Sequence, residues 1–358
     1  MRGMRIVAAI YASALLASCS EPVAVPSGSD AQAPVDSDFE TAELRVGHVR
    51  MREVWVPSGY SLVDMNDRGD LLLGAAWLPK GRVRPLAMPF TGRSINNHRQ
   101  ILGPGRKIFT DGRVTELPDP CVPIKGILTS TDNNGQTTEQ EFEWNCVYRP
   151  VQVAALAENG DAIASYRQDA PGTLLSPNQF LKVWRAEARE WQTVVELLVT
   201  EFAQFDVAIS DTGAYAVRHI QDYGASVSWT SNDQALVGDG VCDGGPAVPL
   251  AVNDAGEAVG MLYCNGEGDA GVGVRWSHEG VPTRLGGSPS AIDNFGNAAG
   301  SRDSDGHAVV WLADGSTIDL SAAVGNQPAS VRKFLKRGQV FGFVGTQPVV
   351  WRFGLQHT

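Results

Sequence analysis

The sequence predicts an all-β fold, a β-propeller of seven four-stranded blades closed by its own N-terminal strand. Three observations carry that expectation. A phrase recurs at about forty residues: an Asn/Asp-and-Gly turn follows a short apolar run, and an apolar triplet ending in an aromatic comes later. Its spacing settles in the second half, where Gly213, Gly256, Gly296 and Gly338 stand 43, 40 and 42 residues apart. The last copy ends at Trp351-Arg352-Phe353-Gly354 without room for a fourth strand, while a spare strand, Leu44 to Val54, stands at the other end.

The chain opens with a leader. Arg2 and Arg5 precede an apolar stretch from Ile6 to Leu16, too short for an ordinary membrane span and of the length of an export signal. It ends Leu16-Ala17-Ser18-Cys19, which resembles the lipobox of bacterial lipoproteins. That resemblance implies a signal peptide over 1–18, cleavage before Cys19 and a diacylglycerol on its thiol. The alternative is an ordinary secretory signal with an incidental cysteine. Ser20, in place of Asp, implies the outer membrane if the cell is Gram-negative. Residues 19–42 are rich in Pro, Ala, Ser and Asp and read as a flexible tether. The expected location is the bacterial cell envelope, lipid-anchored.

The repeat domain is expected over 43–358. Its seven turn anchors are Asn66-Asp67-Arg68-Gly69, Asn96-Asn97-His98-Arg99, Glu158-Asn159-Gly160, Ser210-Asp211-Thr212-Gly213, Asn253-Asp254-Ala255-Gly256, Asp293-Asn294-Phe295-Gly296 and Lys336-Arg337-Gly338. Asn and Gly tolerate the positive φ of tight hairpin turns. After each anchor comes an aromatic: Trp77, Phe109, Trp184, Trp229, Trp276, Trp311 and Trp351. A large flat side chain at that point would fill the space between neighbouring blades. In the clearest unit, Ser290–Ile292, Asn297–Gly300, Ala308–Trp311 and Thr317–Leu320 read as four antiparallel strands. Six or eight blades fit the pattern less well than seven. A β-sandwich or an open solenoid uses the same hairpins but leaves the spare end strand unexplained.

Two stretches break the period, an insertion near 119–150 and the segment Arg167 to Asn178. Loops of this kind on a rigid scaffold commonly carry binding. The first holds Phe142 and Trp144 alternating with Glu141 and Glu143. Beyond Cys19 there are four cysteines, Cys121, Cys146, Cys242 and Cys264, an even set that suggests disulfides in an exported chain. Three pairings are possible. Proximity favours Cys121–Cys146 and Cys242–Cys264, and the absence of Cys-x-x-Cys spacing argues against zinc.

The formal charge is −11, and removal of Arg2 and Arg5 with a leader would make it −13. An acidic chain does not suit nucleic-acid phosphates, although a local basic patch remains compatible with it. Gly-x-Ser-x-Gly, His-Glu-x-x-His and P-loop patterns are absent, and His48, His98, His219, His278, His307 and His357 are scattered. His307, at a strand entry, is expected to bond a loop carbonyl. Asp303-Ser304-Asp305-Gly306 lacks the remaining ligands of a calcium loop and reads as a solvated turn. No catalytic set, metal or cofactor is expected.

The repeats resemble the extracellular repeats named HAF. Their pattern is matched best by Ala291-Ile292-Asp293-Asn294-Phe295-Gly296, Gly300, His307-Ala308-Val309-Val310-Trp311, Gly315 and Asp319-Leu320, with Val309 in place of the usual Phe. The resemblance covers roughly 210–351 and implies an exported repeat protein without an assigned reaction. The expected function is therefore that of a monomeric, lipid-anchored binding module for a protein or glycan partner. The alternative is a propeller-type glycan hydrolase or lyase acting at the central channel. Convergent carboxylates, His or Arg at the ring axis would favour the enzyme.

Overall fold

Every turn anchor closes a hairpin between the first and second strands of a sheet. The computed structural model describes residues 44–46, 49–121, 124–131, 136–146, 152–169, 178–198, 204–220, 226–238, 240–241, 245–264, 271–336 and 338–354. These fall within one unit, Glu40–Thr358. The leader, the tether, Cys19, Cys242, His48 and His357 lie outside the described residues.

Seven antiparallel sheets follow one another along the chain. Blade 1 comprises Asp64–Met65, Leu71–Leu72, Ala76–Leu78 and Leu86–Ala87; blade 2 comprises Ser94–Ile95, Gln100–Leu102, Lys107–Thr110 and Arg113–Glu116. Blade 5 comprises Ala247–Val252, Ala258–Leu262, Val272–Trp276 and Pro282–Arg284; blade 6 comprises Gly287–Ile292, Ala298–Arg302, Ala308–Trp311 and Thr317–Asp319. These four are four-stranded meanders. Blade 3 has the strands Gln152–Leu156, Ala162–Asp169, Asn178–Arg185 and Glu190–Leu198. The insertion appears here as a hairpin, Ile124–Thr131 with Thr137–Cys146, whose end pairs with the far end of the second strand. Blade 4 has Gln204–Ile209, Tyr215–Ile220 and Ser226–Thr230, and its fourth strand is reduced to a bridge between Trp229 and Ala235. Helix is scarce among the described residues; a single 3₁₀ turn, Ser321–Val324, follows blade 6.

Blade 7 is built from both ends of the domain. Ala329–Leu335, Gln339–Val344 and Gln347–Phe353 are joined by Val49–Glu53, with Met51 opposite Trp351. The ring thereby loses the open edge that a chain-terminal sheet would present. The N-terminal segment gives more than the single closing strand expected. Leu44–Val46 folds back on Val49–Glu53 as a fifth, outermost strand, with Leu44 opposite Met51.

The core lies between blades. Ala308 and Val310 face blade 7 and pack with Val340, Val349, Trp351 and Phe353; Val309 and Trp311 face blade 5 and pack with Val259 and Leu285. A strand covered on both faces must be apolar at every position, which is why Ala308–Trp311 shows no alternation. Trp276 likewise reaches back from blade 5 to Ala208 and Ala216 of blade 4. Trp77 departs from this rule. In blade 6, Trp311 sits opposite Ala298; in blade 1 the corresponding place opposite Leu71 belongs to Leu78. Trp77 is one residue earlier and so faces blade 2, where it meets Phe109 edge-on at 6.1 Å. A shift of one residue sends a side chain to the other face of a strand.

The first strands of successive blades neighbour one another, so they form the inner wall. Four of them carry a bulge, at Val153/Ala155, Pro249/Ala251, Pro289/Ala291 and Val331/Lys333. Opposite three of these bulges stand Gly260, Gly300 and Gly342. A Cβ on Gly300 would lie 2.1 Å from the Ser288 carbonyl oxygen, and one on Gly260 or Gly342 would lie 2.0 Å from the matching carbonyl. The bulge pushes that carbonyl into the space a side chain would need.

Candidate functional site

The seven anchors gather at one end of the ring and bond to one another across blades. Asp67 of blade 1 takes a hydrogen bond from Asn97 Nδ2 of blade 2 at 2.6 Å, and its N–H donates to Asn97 Oδ1 at 2.8 Å. The Asn97 N–H donates to Glu158 Oε2 of blade 3. Asn159 donates to the Asp211 and Thr212 carbonyls of blade 4, and the Thr212 N–H donates to Asp254 Oδ1 of blade 5 at 2.9 Å. Asn294 of blade 6 donates to Asp254 Oδ2 at 2.7 Å. The Lys336 N–H of blade 7 donates to Asp67 Oδ1 of blade 1 at 2.9 Å and so joins the last blade to the first. Between blades 6 and 7 the link runs deeper, from Ser290 Oγ to the Val331 carbonyl at 3.1 Å.

A second set of bonds holds each turn in shape. The Oδ1 atoms of Asn66, Asn96 and Asn253 each accept the two N–H groups that follow at +2 and +4. Their Nδ2 atoms reach the next blade, at the carbonyls of Asn96, Ala157 and Asp293. An Asx turn leaves the amide nitrogen free for such a contact. The residue after the anchor Gly has a further task in blades 1, 3 and 6. Asp70, Asp161 and Asn297 accept the N–H of Lys80, Ala186 and Ala313 from the turn between the third and fourth strands. This role was missed at the sequence level, although an Asp or Asn in that place was its signal.

The end is acidic, and its charges sense each other across the ring axis. Burial pushes Glu158 up to about 7, with Asp211 and Asp67 adding like charge and the Asn97 N–H and Lys333 opposing. Asp211 is raised by desolvation and by Asp254 and Asp67. Desolvation acts on Asp254 too, but hydrogen bonds from Ser210, Thr212 and Asn294 outweigh it and hold that carboxyl below the usual range. Lys333 bonds Asp64 at 2.8 Å, and Lys336 stands 3.8 Å from Asp67. Carboxylates with pKa values driven apart are what acid–base chemistry requires. Here the oxygens of Glu158 and Asp254 are also engaged in blade-to-blade bonds. Among the described residues no group of three His, Cys, Asp or Glu side chains is placed to hold a metal.

At the opposite end, blade 6 brings His307 together with Asp305, Asp319 and Arg302. His307 Nδ1 lies 3.1 Å from Asp319 Oδ2 and 3.5 Å from Asp305 Oδ2. Arg302 Nη2 donates to Asp305 at 2.6 Å and to Asp319 at 2.7 Å. The expected carbonyl partner of His307 is thus replaced by two carboxylates, because the connection after Arg302 folds back onto the end of blade 6 and the fourth strand supplies Asp319. The Arg302 guanidinium holds Asp305 down to about 2. Asp305 is therefore ion-paired, although it is exposed like Asp303 and Ser304. The other described histidines are dispersed: His98 and His278 are exposed, and His219 is buried against the Phe205 ring.

Cys121 is buried with Tyr166 and Phe180, and Cys264 is buried beside Leu262 in the blade 4/5 core. The side chain of Cys146 lies outside the described residues, as does Cys242, so neither expected pairing is placed.

No protein-family model matches the chain, and no curated protein matches it. Three solved structures are similar in outline. A structure titled streptogramin B lyase shares 11% identity and a TM-score of 0.43, covering 86% of this chain and 98% of its own. A catalytically inactive virginiamycin B lyase from Staphylococcus aureus with quinupristin shares 8% and 0.42, covering 86% and 100%. YCF48 bound to D1 peptide shares 15% and 0.45, covering 87% and 99%.

Proposed function

We propose that this chain is an exported, lipid-anchored β-propeller of the bacterial cell envelope that works as a monomeric binding module for a protein or glycan. Cys19 would carry the lipid and residues 19–42 would be the tether. The supporting sequence is the charged head, the apolar segment and Leu16-Ala17-Ser18-Cys19. One structural observation carries the binding role. The polar side chains of the anchors are committed to joining blades, which makes that end a rigid scaffold. The second strands end and the third strands begin at the other end, and the sequence between them is uneven in length, as suits loops that meet a partner.

The HAF-type reading gains support from the glycines. The Gly-x-x-x-Gly spacing of Gly256/Gly260, Gly296/Gly300 and Gly338/Gly342 matches a turn followed by a position facing a bulge carbonyl. The pairings Cys121–Cys146 and Cys242–Cys264 gain support from register. Cys146 stands opposite Gln168, two residues from Tyr166, which packs on Cys121. The Tyr263 N–H, one residue before Cys264, donates to the carbonyl of Pro246, which follows Cys242 by four residues in the sequence.

The glycan hydrolase or lyase reading is favoured by one observation, the carboxylates converging on the axis with Glu158 poised near neutrality. Labelled palmitate tests the anchor. Incorporation is expected in the native chain and lost in Cys19→Ala; incorporation that persists in that variant refutes the site. Incubation with envelope glycans separates binding from catalysis. New reducing ends or unsaturated sugars that vanish in Glu158→Gln would establish the enzyme instead.

A further inference from the structure

Blade 7 carries arginines at matching positions of adjacent strands. The register sets Arg45 opposite Arg50, and Arg50 opposite Arg352, across three adjacent strands. Arg52 lies two residues from Arg50 and therefore on the same face of its strand. Arg50, Arg52 and Arg352 are exposed, at the outer part of the sheet, on the face turned towards blade 1. Among the described residues no carboxylate pairs with Arg52 or Arg352, although the chain carries 40 acidic residues against 29 basic ones.

The row has a second property. It begins on Leu44–Val46, the strand through which all preceding chain is joined to the fold. We propose that this face of blade 7 docks on the anionic phosphate headgroups of the membrane that holds the lipid anchor. The occupant follows from charge complementarity and from where the tether attaches. An anchor at Cys19 keeps this edge within a short chain length of the bilayer, where each arginine near an anionic surface adds to the attraction. A net negative domain would otherwise be repelled by the same surface. The inference rests on the anchor reading for its geometry and not for its chemistry, and the two are separable.

The experiment uses the full chain bearing Cys19→Ser, which cannot be lipidated, with vesicles of phosphatidylglycerol and phosphatidylethanolamine or of phosphatidylcholine alone. Sedimentation with the anionic vesicles, weakened by salt, and none with the neutral ones is expected. Arg52→Gln with Arg352→Gln should lower the partition about 30-fold, two arginines at about 1 kcal/mol each. Lys80→Gln with Lys107→Gln, which removes two exposed cations from blades 1 and 2, should change it by less than threefold. Thermal melts of both doubles should match the parent, which excludes unfolding as the cause. Absence of binding to anionic vesicles, or equal loss in the two doubles, overturns the proposal. Binding to soluble polyanions with none to vesicles overturns it as well. Failure of palmitate labelling alone would remove the anchor and leave the vesicle result standing.

Discussion

The Asp67 carboxylate accepts the backbone N–H of Lys336 at 2.9 Å, from a residue 269 positions away along the chain. One oxygen of this side chain ties blade 1 to blade 7, and the other ties it to Asn97 of blade 2. A turn that looks purely local therefore helps to close the ring.

Asp67→Ala should lower the unfolding free energy by about 2 kcal/mol, since it orphans two donors at once. Asp67→Asn should recover about half, because an amide oxygen still accepts from Lys336. Urea denaturation of the three chains measures both steps. Equal stability of all three would show that the closing strand alone holds the ring.

Glu158 sets a slope of stability with pH. Its carboxyl ionises near 4.5 in the unfolded chain and at about 7 in the fold. Between those values the folded state binds more protons, so this group's contribution to stability falls as pH rises from about 5 to 8. Glu158→Gln should remove that slope and stabilise the protein at pH 8 by about 1–2 kcal/mol, while changing little at pH 4.5. Melting temperatures of the parent and variant across this range provide the check, and parallel curves would contradict it.

Gly300→Ala places a Cβ where the Ser288 carbonyl oxygen already stands, 2.1 Å away. Relief requires moving backbone on an inner strand, and the cost should be about 2–4 kcal/mol. Gly286→Ala, with no atom within 4 Å of the added carbon, should stay within about 0.5 kcal/mol. Comparable losses at the two sites would dismiss the bulge as the reason for the second glycine.

Met51 is 6% exposed between Leu44 and Trp351. Met51→Lys buries a charge without a partner and should detach the closing strand, at about 3–5 kcal/mol. The freed edge of Gln347–Phe353 is then open to pairing with a second molecule. Size-exclusion chromatography should show dimers or larger species; a stable, monomeric variant would count against closure as the source of solubility.

The sequence alone determined the hairpins. Asn/Asp and Gly at the turn positions and four apolar residues in Ala308–Trp311 are local instructions, and the observed strands of blade 6 follow them closely. The spare strand at Leu44 and the missing one after Trp351 also announced their own pairing. Tertiary structure decided what each side chain faces across a gap. Trp77 is an aromatic after an anchor like the others, yet one residue of register turned it to blade 2. His307 met carboxylates because Asp319 returned beside it, and Glu158 became a weak acid because the assembled ring buries it, with Asp211 and Asp67 of other blades adding like charge. Turn chemistry acts within four or five residues and can be read along the chain. Burial and charge depend on neighbours that only the closed ring supplies.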